Sequence, residues 1–316
     1  MKESSAIRDQ PERARPPRVL VSILNFNSFE PTLETIAAFR AQGYRDMHLQ
    51  MIDNGSTTDC VARIRQEFPD LDIVCSPSDL GYTGGNNLAL ERGLAEGYDA
   101  VIICNEDIAV EPDAVEFLME TASTNADAGV VGGVETDYET RRVRTTGGTE
   151  FPDWRLRVRW PVEETPQGRP WRKVVFAQGA LVLFTRRALE RGLRFDDRLF
   201  LYWDEIDLGY ALRDLGLAAY VDHRVRVRHS NAPASLSVRT GYFQQRNRVY
   251  LANKHFRGWK KWGYLAYSSL LEVPVKIVAR TAQGHGGFAR ACLLGQWDGL
   301  RGRMGKGRLD SFSLLR

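Results

Sequence analysis

Two clusters of acids and one histidine carry the chemistry available to this chain. Asn105-Glu106-Asp107 follows Val101-Ile102-Ile103-Cys104, four apolar residues that read as a buried strand. An amide and two carboxylates at a strand's end suit a hard divalent cation, because Mg2+ or Mn2+ takes a few carboxylate oxygens and fills the rest of its shell with phosphate oxygens and water. Asp204, Glu205 and Asp207 fall in the first turn of a helix, directly after the apolar-aromatic run Leu199-Phe200-Leu201-Tyr202-Trp203. That run would partly desolvate one carboxylate and raise its pKa towards that of a general base. His229 ends a strand of alternating Val and Arg, and a neutral imidazole is a good ligand for a metal already held by Asp107. Each feature also has an ordinary counterpart, since acids open helices through capping and the helix dipole.

Two further stretches have the chemistry of ligand recognition. Asp79-Leu80-Gly81-Tyr82-Thr83-Gly84-Gly85-Asn86-Asn87 offers glycines where a backbone approaches a ligand closely, followed by a helix over 86–96 whose first N–H groups would face a phosphate or a sugar. It is not a GxGxxG fingerprint and follows the third strand, which counts against a nicotinamide cofactor. Asp53 opens Asp53-Asn54-Gly55-Ser56, where a carboxylate either accepts a hydrogen bond from a base or ribose or forms an Asx-turn.

These residues are positioned by an alternation of strands and helices. Strands are expected at 18–24, 48–52, 71–75 and 99–104, with helices from Pro31 to Arg40, after Ser56 to Phe68 and over 86–96. Such alternation implies an α/β fold with a mostly parallel sheet, which binds ligands at the carboxyl ends of its strands. A helix over 113–123 and a strand over 128–134 follow. Residues 137–172, rich in Arg, Pro and Trp, read as an excursion over the site. Strands resume at 174–176 and 181–184, the acidic helix ends at Gly216, two short strands (217–221 and 225–228) deliver His229, and a helix from about Val238 carries Arg246-Asn247-Arg248.

In this order and spacing the motifs resemble the inverting family 2 glycosyltransferases with the GT-A fold, particularly their bacterial rhamnosyltransferase-like branch. The resemblance runs from about Arg18 to His255, with a weaker echo at Trp297-Asp298-Gly299-Leu300-Arg301-Gly302-Arg303. It divides the chain into a lead-in (1–17), a nucleotide-sugar half (18–136), an acceptor half (137–255) and a helical tail (256–316). It implies Mg2+ or Mn2+ at Asp107 and His229, and a dTDP- or UDP-sugar donor, dTDP-rhamnose among them, contacted by Asn25, Asp53, Gly81, Gly85, Asn86, Asn105 and Glu106. The acceptor, a glycan, lipid-linked or small molecule, is expected at Gln178, Gly179, Trp203 and Arg246. Where the family carries Glu-Asp-x-Asp, this chain reads Asp204-Glu205-Ile206-Asp207, so the base is Glu205, or Asp204 if the backbone shifts. A non-catalytic sugar- or membrane-binding scaffold and a sugar nucleotidyltransferase are the competing readings; the second would need a basic, glycine-rich loop where Asn25-Phe26-Asn27-Ser28 stands.

Composition bounds the rest. The 316 residues, 43% hydrophobic, can bury one large core. Cys60, Cys75, Cys104 and Cys292 are too scattered for a zinc cluster or a disulfide framework, and a reducing cytoplasm is expected. The net charge of +3 conceals an asymmetry, because residues 254–316 carry twelve Lys or Arg against three acids. With Trp259, Trp262, Tyr264 and Tyr267 among them, this tail suits an anionic membrane surface at the inner face of the cell membrane. Nucleic acid competes for such a tail and is not the partner expected, while a solvated helical face is the plain alternative.

Overall fold

The computed structural model describes residues 16–162, 165, 167–230 and 237–308; apart from Pro16 and Pro17, the lead-in lies outside them. The first half repeats one unit: β1 (Val19–Asn25), α1 (Glu30–Arg40), β2 (Met47–Asp53), α2 (Cys60–Glu67), β3 (Asp72–Cys75), α3 (Gly81–Ala95) and β4 (Ala100–Asn105). Every residue of β1 is buried. Val19, Val21 and Ile23 pack with Ile36 and Phe39 of α1 on one face, while Leu20 and Leu24 pack with Ala89 and Leu90 of α3 on the other. A strand covered on both faces is a continuous apolar run rather than an alternating one, which is how β1 and β4 read in the sequence.

The second half contains β5 (Ile108–Val110), α4 (Ala114–Thr124), β6 (Ala128–Asp137), β7 (Val143–Thr145), β8 (Trp171–Val174), β9 (Leu181–Thr185), α5 (Arg186–Glu190), α6 (Asp204–Asp214), β10 (Ala218–His229), α7 (Val238–His255), α8 (Gly258–Tyr267), α9 (Val273–Ala282) and α10 (Gly286–Leu300). The sheet runs β3-β2-β1-β4-β9-β6-β10-β5, with β7 beside β6 and β8 beside β10. The fold is α/β as expected, but parallel pairing holds from β3 to β4 and between β6 and β10, whereas β9 runs antiparallel between β4 and β6. The sheet is therefore mixed rather than mostly parallel.

Three local expectations are corrected. The glycine-rich loop is a helix from Gly81, and its glycines let α3 lie close to the sheet: a Cβ at Gly85 would stand 2.5 Å from Leu24 Cδ1, and one at Gly93 2.1 Å from Val101 Cγ2. The two strands before His229 are one, β10, bulged between Asp222 and Arg226 against β6, and bulges of this kind re-aim the residues that follow. The strand expected at 174–176 ends at Val174, and Phe176 makes only an isolated bridge to Gly148.

The tail is packed rather than loose. α10 lies along α7 so closely that a Cβ at Gly295 would meet the Tyr242 carbonyl oxygen at 2.3 Å. Asp298, the acid of the weaker motif, is 1% exposed and accepts hydrogen bonds from Tyr242 Oη and Arg308 Nε, each at 2.8 Å.

Candidate active site

Strands β1, β2 and β4 end in Asn25, Asp53 and Asn105 at one edge of the sheet, bordering a cleft of about 300 Å3. Its walls include Asn105, Glu106 and Asp107, Asp79, Gly81 and Tyr82, and Tyr202 and Arg239 from the second half. Asn54 sets the entry to α3: its Oδ1 accepts from Leu80 N at 3.1 Å and its Nδ2 donates to the Gly81 carbonyl at 3.0 Å. Gly81 has φ +70°, and a Cβ there would stand 2.3 Å from the Phe200 carbonyl oxygen, so this position requires glycine for both its backbone conformation and its space.

The expected nucleotide contacts divide. Asp53 is 5% exposed; its Oδ2 accepts from Ser56 N at 3.3 Å, and its buried Oδ1 has no partner among the described residues. Asp53 is not itself among the residues lining the cleft, whereas its neighbour Asn54 is; a buried acceptor left open there is one that an N–H of a bound base could satisfy. Asn25 is fully buried and turned to its own loop, accepting from Ser28 N at 3.2 Å and Thr32 Oγ1 at 3.4 Å. Gly85 and Asn86 lie a turn inside α3, where Gly85 packs on Leu24 and Asn86 donates to the Tyr82 carbonyl at 3.0 Å. The sequence places Gly85 in a loop and Asn86 at a helix start, both at the ligand; neither is among the residues lining the cleft.

At the cleft's acidic edge, His229 Nε2 stands 3.2 Å from Asp107 Oδ1 and 3.2 Å from Asn105 Nδ2, while its Nδ1 stands 3.3 Å from Glu135 Oε1. Burial by itself would lower the His229 pKa, but its bonds to Asp107 and Glu135 and their charges outweigh this and push it up to about 9. Burial works to raise Asp107, and the His229 contact overrides it, leaving Asp107 below the ordinary carboxylate range. Glu106 is pushed up to about 7, chiefly by burial. A carboxylate on Nδ1 and an oxygen ligand beside Nε2 is the arrangement in which histidine ligates a metal. Among the described residues no group of three or more His, Cys, Asp or Glu is placed to hold a cation. Asp107 and His229 are two groups that could serve an ion taking its other ligands from a phosphate.

The acidic helix α6 separates its three carboxylates by where each one points. Asp207 is 4% exposed and fastened, accepting from Lys254 Nζ at 2.7 Å and facing His255 Nε2 at 2.6 Å. Asp204 is turned into an apolar recess with Phe176, Gly179 and Leu208, where burial, then the Glu205 charge, pushes its pKa well above the usual range. Glu205 lines a second cleft of about 280 Å3 with Leu156, Trp160, Tyr202, Trp203, Gln244 and Arg248. Its pKa is raised to about 6, by burial first and also by the charge of Glu135. Glu135, which hydrogen-bonds His229, thus links the two acidic clusters. Tyr202 lines both clefts.

Phe200, Tyr202 and Trp203 all have positive φ, at 65°, 68° and 70°, a conformation that costs a non-glycine residue about 1–3 kcal/mol and persists only where its surroundings impose it. Helix α7 imposes it. Asn247 Nδ2 lies within hydrogen-bonding distance of the carbonyls of Leu199 (3.0 Å), Leu201 (2.8 Å) and Tyr202 (2.9 Å). Arg246 donates to the carbonyls of Leu199 at 2.8 Å and Gly305 at 2.6 Å. Arg246, expected at the acceptor, is fully enclosed and acts instead as a clamp on the loop; the arginine at the cleft is Arg248. Trp203 lines the cleft, whereas Gln178 and Gly179 are not among its lining residues, and the Gly179 carbonyl accepts from Tyr82 Oη at 2.6 Å. Of the other lining residues, Tyr82 falls in the stretch expected at the nucleotide-sugar, Tyr202 in the apolar-aromatic run before the acids and Arg248 in the Arg-Asn-Arg run, while Arg239 has no role in the sequence reading. The Arg-Asn-Arg run was a signal for Arg248, whereas nothing local marked Arg239.

Three comparisons agree with this geometry. The chain is 25% identical over 288 residues, covering 77% of it and 89% of its relative, to N-acetylglucosaminyl-diphospho-decaprenol L-rhamnosyltransferase of Mycobacterium tuberculosis. In fold it is similar to a mannosyltransferase of Pyrobaculum calidifontis crystallised with GDP-Man and Mn2+, with TM-score 0.56 and 16% identity over 92% of this chain and 89% of that one. It is also similar to GalNAc-T7 crystallised with UDP, GalNAc and Mn2+, with TM-score 0.60 and 12% identity, covering 75% of this chain and spanning about half (51%) of that one. The family described as "Glycosyltransferase like family 2" matches residues 16–252, three quarters of the molecule, and the chain belongs to that family of glycosyltransferases.

Proposed function

We propose that the protein moves a sugar from a nucleoside diphosphate sugar, a dTDP- or UDP-sugar with dTDP-rhamnose the first candidate, to a hydroxyl of a lipid-linked acceptor, inverting the anomeric centre. The observation that carries this reading is the sorting of the α6 acids: Asp207 is ion-paired, Asp204 is buried in an apolar recess that Glu205 also lines, and of the three only Glu205 opens into the cleft that meets the first cleft at Tyr202. Glu205 takes the proton of the acceptor hydroxyl as its oxygen attacks the anomeric carbon from the face opposite the leaving diphosphate, and a carboxylate with pKa about 6 is ionised and still basic at neutral pH. Asp53 Oδ1 receives an N–H of the base, and Arg239, whose Nε has no partner among the described residues, faces the cleft where the diphosphate lies. Asp107 and His229 fit Mg2+ or Mn2+, which when bound would offset charge on the departing diphosphate. Sequence likeness to an N-acetylglucosaminyl-diphospho-decaprenol L-rhamnosyltransferase supports the transferred sugar and the acceptor class.

The test is a thermal-unfolding panel of UDP, dTDP and GDP with Mg2+ or Mn2+, followed by assay of nucleoside diphosphate release from the matching sugars. A ligand at about 100 times its Kd stabilises the native state by about 2.7 kcal/mol, so one base should stand out. No shift from any diphosphate in the presence of metal would overturn the reading.

A further inference from the structure

Between α8 and α9 the chain remains helical through a π turn, Ser268–Glu272, giving one continuous run from Gly258 to Ala282. Its buried positions are Tyr264, Ser268 and Val273, spaced by four and then five. The wider π turn absorbs that extra residue and keeps one face inward along the whole run. The opposite face carries Trp259 (67% exposed), Trp262 (68%), Leu270 (79%) and Val278 (72%), with Leu271 and Val275 also exposed. At about 1.5 Å per residue the stripe extends for roughly 30 Å.

The polar groups of this run point the other way. Ser268 Oγ is tied to Gln245 and Gln296, at 3.0 and 2.8 Å. Glu272, the single acid between residues 256 and 297, is paired inward with Arg248 and with Lys276 Nζ at 3.0 Å. The solvent side is thus apolar and aromatic, edged by Arg257, Lys260 and Lys261, with no acid facing out. No helix among the described residues is long and apolar enough to cross a bilayer. An amphipathic helix of this composition lies in the plane of an anionic lipid interface, tryptophans at headgroup depth and lysines against the phosphates. A second copy of the chain is the poorer occupant, because pairing two such stripes sets their basic edges against each other.

We propose that the 258–282 helix seats on an anionic bilayer and presents the second cleft to acceptors held there. The inner side of the helix forms part of that cleft's support: Trp154 packs on Tyr267, with ring centroids 5.7 Å apart, and Leu156, which lines the cleft, packs in one cluster with Tyr264. The presentation of the acceptor rests on the transfer reading above; the docking does not.

The test is co-sedimentation of the full chain, without nucleotide or sugar, with phosphatidylcholine vesicles lacking or containing phosphatidylglycerol. Binding is expected at least ~10-fold tighter to the anionic vesicles and weakened by salt. Trp262→Ser/Leu270→Ser/Val278→Ser should reduce it at least ~10-fold with thermal unfolding unchanged, since all three side chains are largely exposed, and Lys260→Glu/Lys261→Glu should remove the anionic preference. Wild-type protein left in the supernatant, or a triple variant that binds as the wild type does, would overturn the proposal. So would a concentration-dependent dimer that the triple variant abolishes in the absence of vesicle binding.

Discussion

Replacing Asn247 by Ala should separate the clamp from the chemistry it positions. Asn247 is fully buried, and its amide nitrogen serves three carbonyls of the 199–202 loop with two hydrogens. Truncation leaves the Leu201 and Tyr202 carbonyls without the amide, while that of Leu199 keeps Arg246 Nη2, at about 1–3 kcal/mol for each hydrogen bond that has no replacement, and it removes the acceptor of Arg246 Nε. A net loss of about 2–4 kcal/mol is expected, read as a fall in Tm of roughly 3–6 °C. The loop can then relax the positive φ angles of Tyr202 and Trp203, and Glu205 shifts with it. A displacement near 1 Å costs about 100-fold in rate, so kcat should fall between about 10- and 100-fold while nucleoside diphosphate still raises Tm by the wild-type increment. A variant destabilised as expected but with kcat within twofold of wild type would show that the clamp holds the fold and not the base.

Three further outcomes follow from the site. Glu205 has its pKa raised to about 6 in the folded state, so the stability it contributes is present below its unfolded value near 4.5 and is lost as pH rises through 6. Glu205→Gln should therefore be more stable than wild type at pH 8 by roughly 1–2 kcal/mol, measured by denaturant unfolding, and wild-type kcat/KM should climb about tenfold per pH unit below 6 and level off above it. Arg239→Ala should weaken nucleoside diphosphate binding about tenfold with little change in unfolding, since a single charge-assisted hydrogen bond contributes about 1.5–3 kcal/mol; titration calorimetry reads this directly. Asp107→Asn should raise the Mn2+ concentration required for half-maximal transfer at least ~10-fold, because the amide is a poorer ligand than the carboxylate, and chelation should abolish wild-type transfer.

Much of the donor half was legible because its strands are buried on both faces and end abruptly in polar residues: Asn25, Asp53 and Asn105 fall together at the sheet edge as the pattern implied. The stretch at 81–87 is less legible because glycine suits a loop as well as a tight helix packing, and Gly85 is helical, set close against Leu24 and Asn54. The antiparallel insertion of β9 and the fastening of Asp207 by Lys254 and His255 depend on contacts between distant residues, which local periodicity does not encode. For the same reason the acidic cluster could be located in the sequence but not sorted. Arg246 was misassigned because its sequence position says nothing of its enclosure by residues 198–199 and 305.

Whether Glu205 removes the acceptor's proton is read from transfer by Glu205→Gln set beside its affinity for the donor. Transfer should be at least ~1000-fold slower, with donor affinity within about twofold of wild type and folding intact. Transfer by that variant within tenfold of wild type, with the same donor affinity, would contradict that assignment and return the role to Asp204 or Asp207.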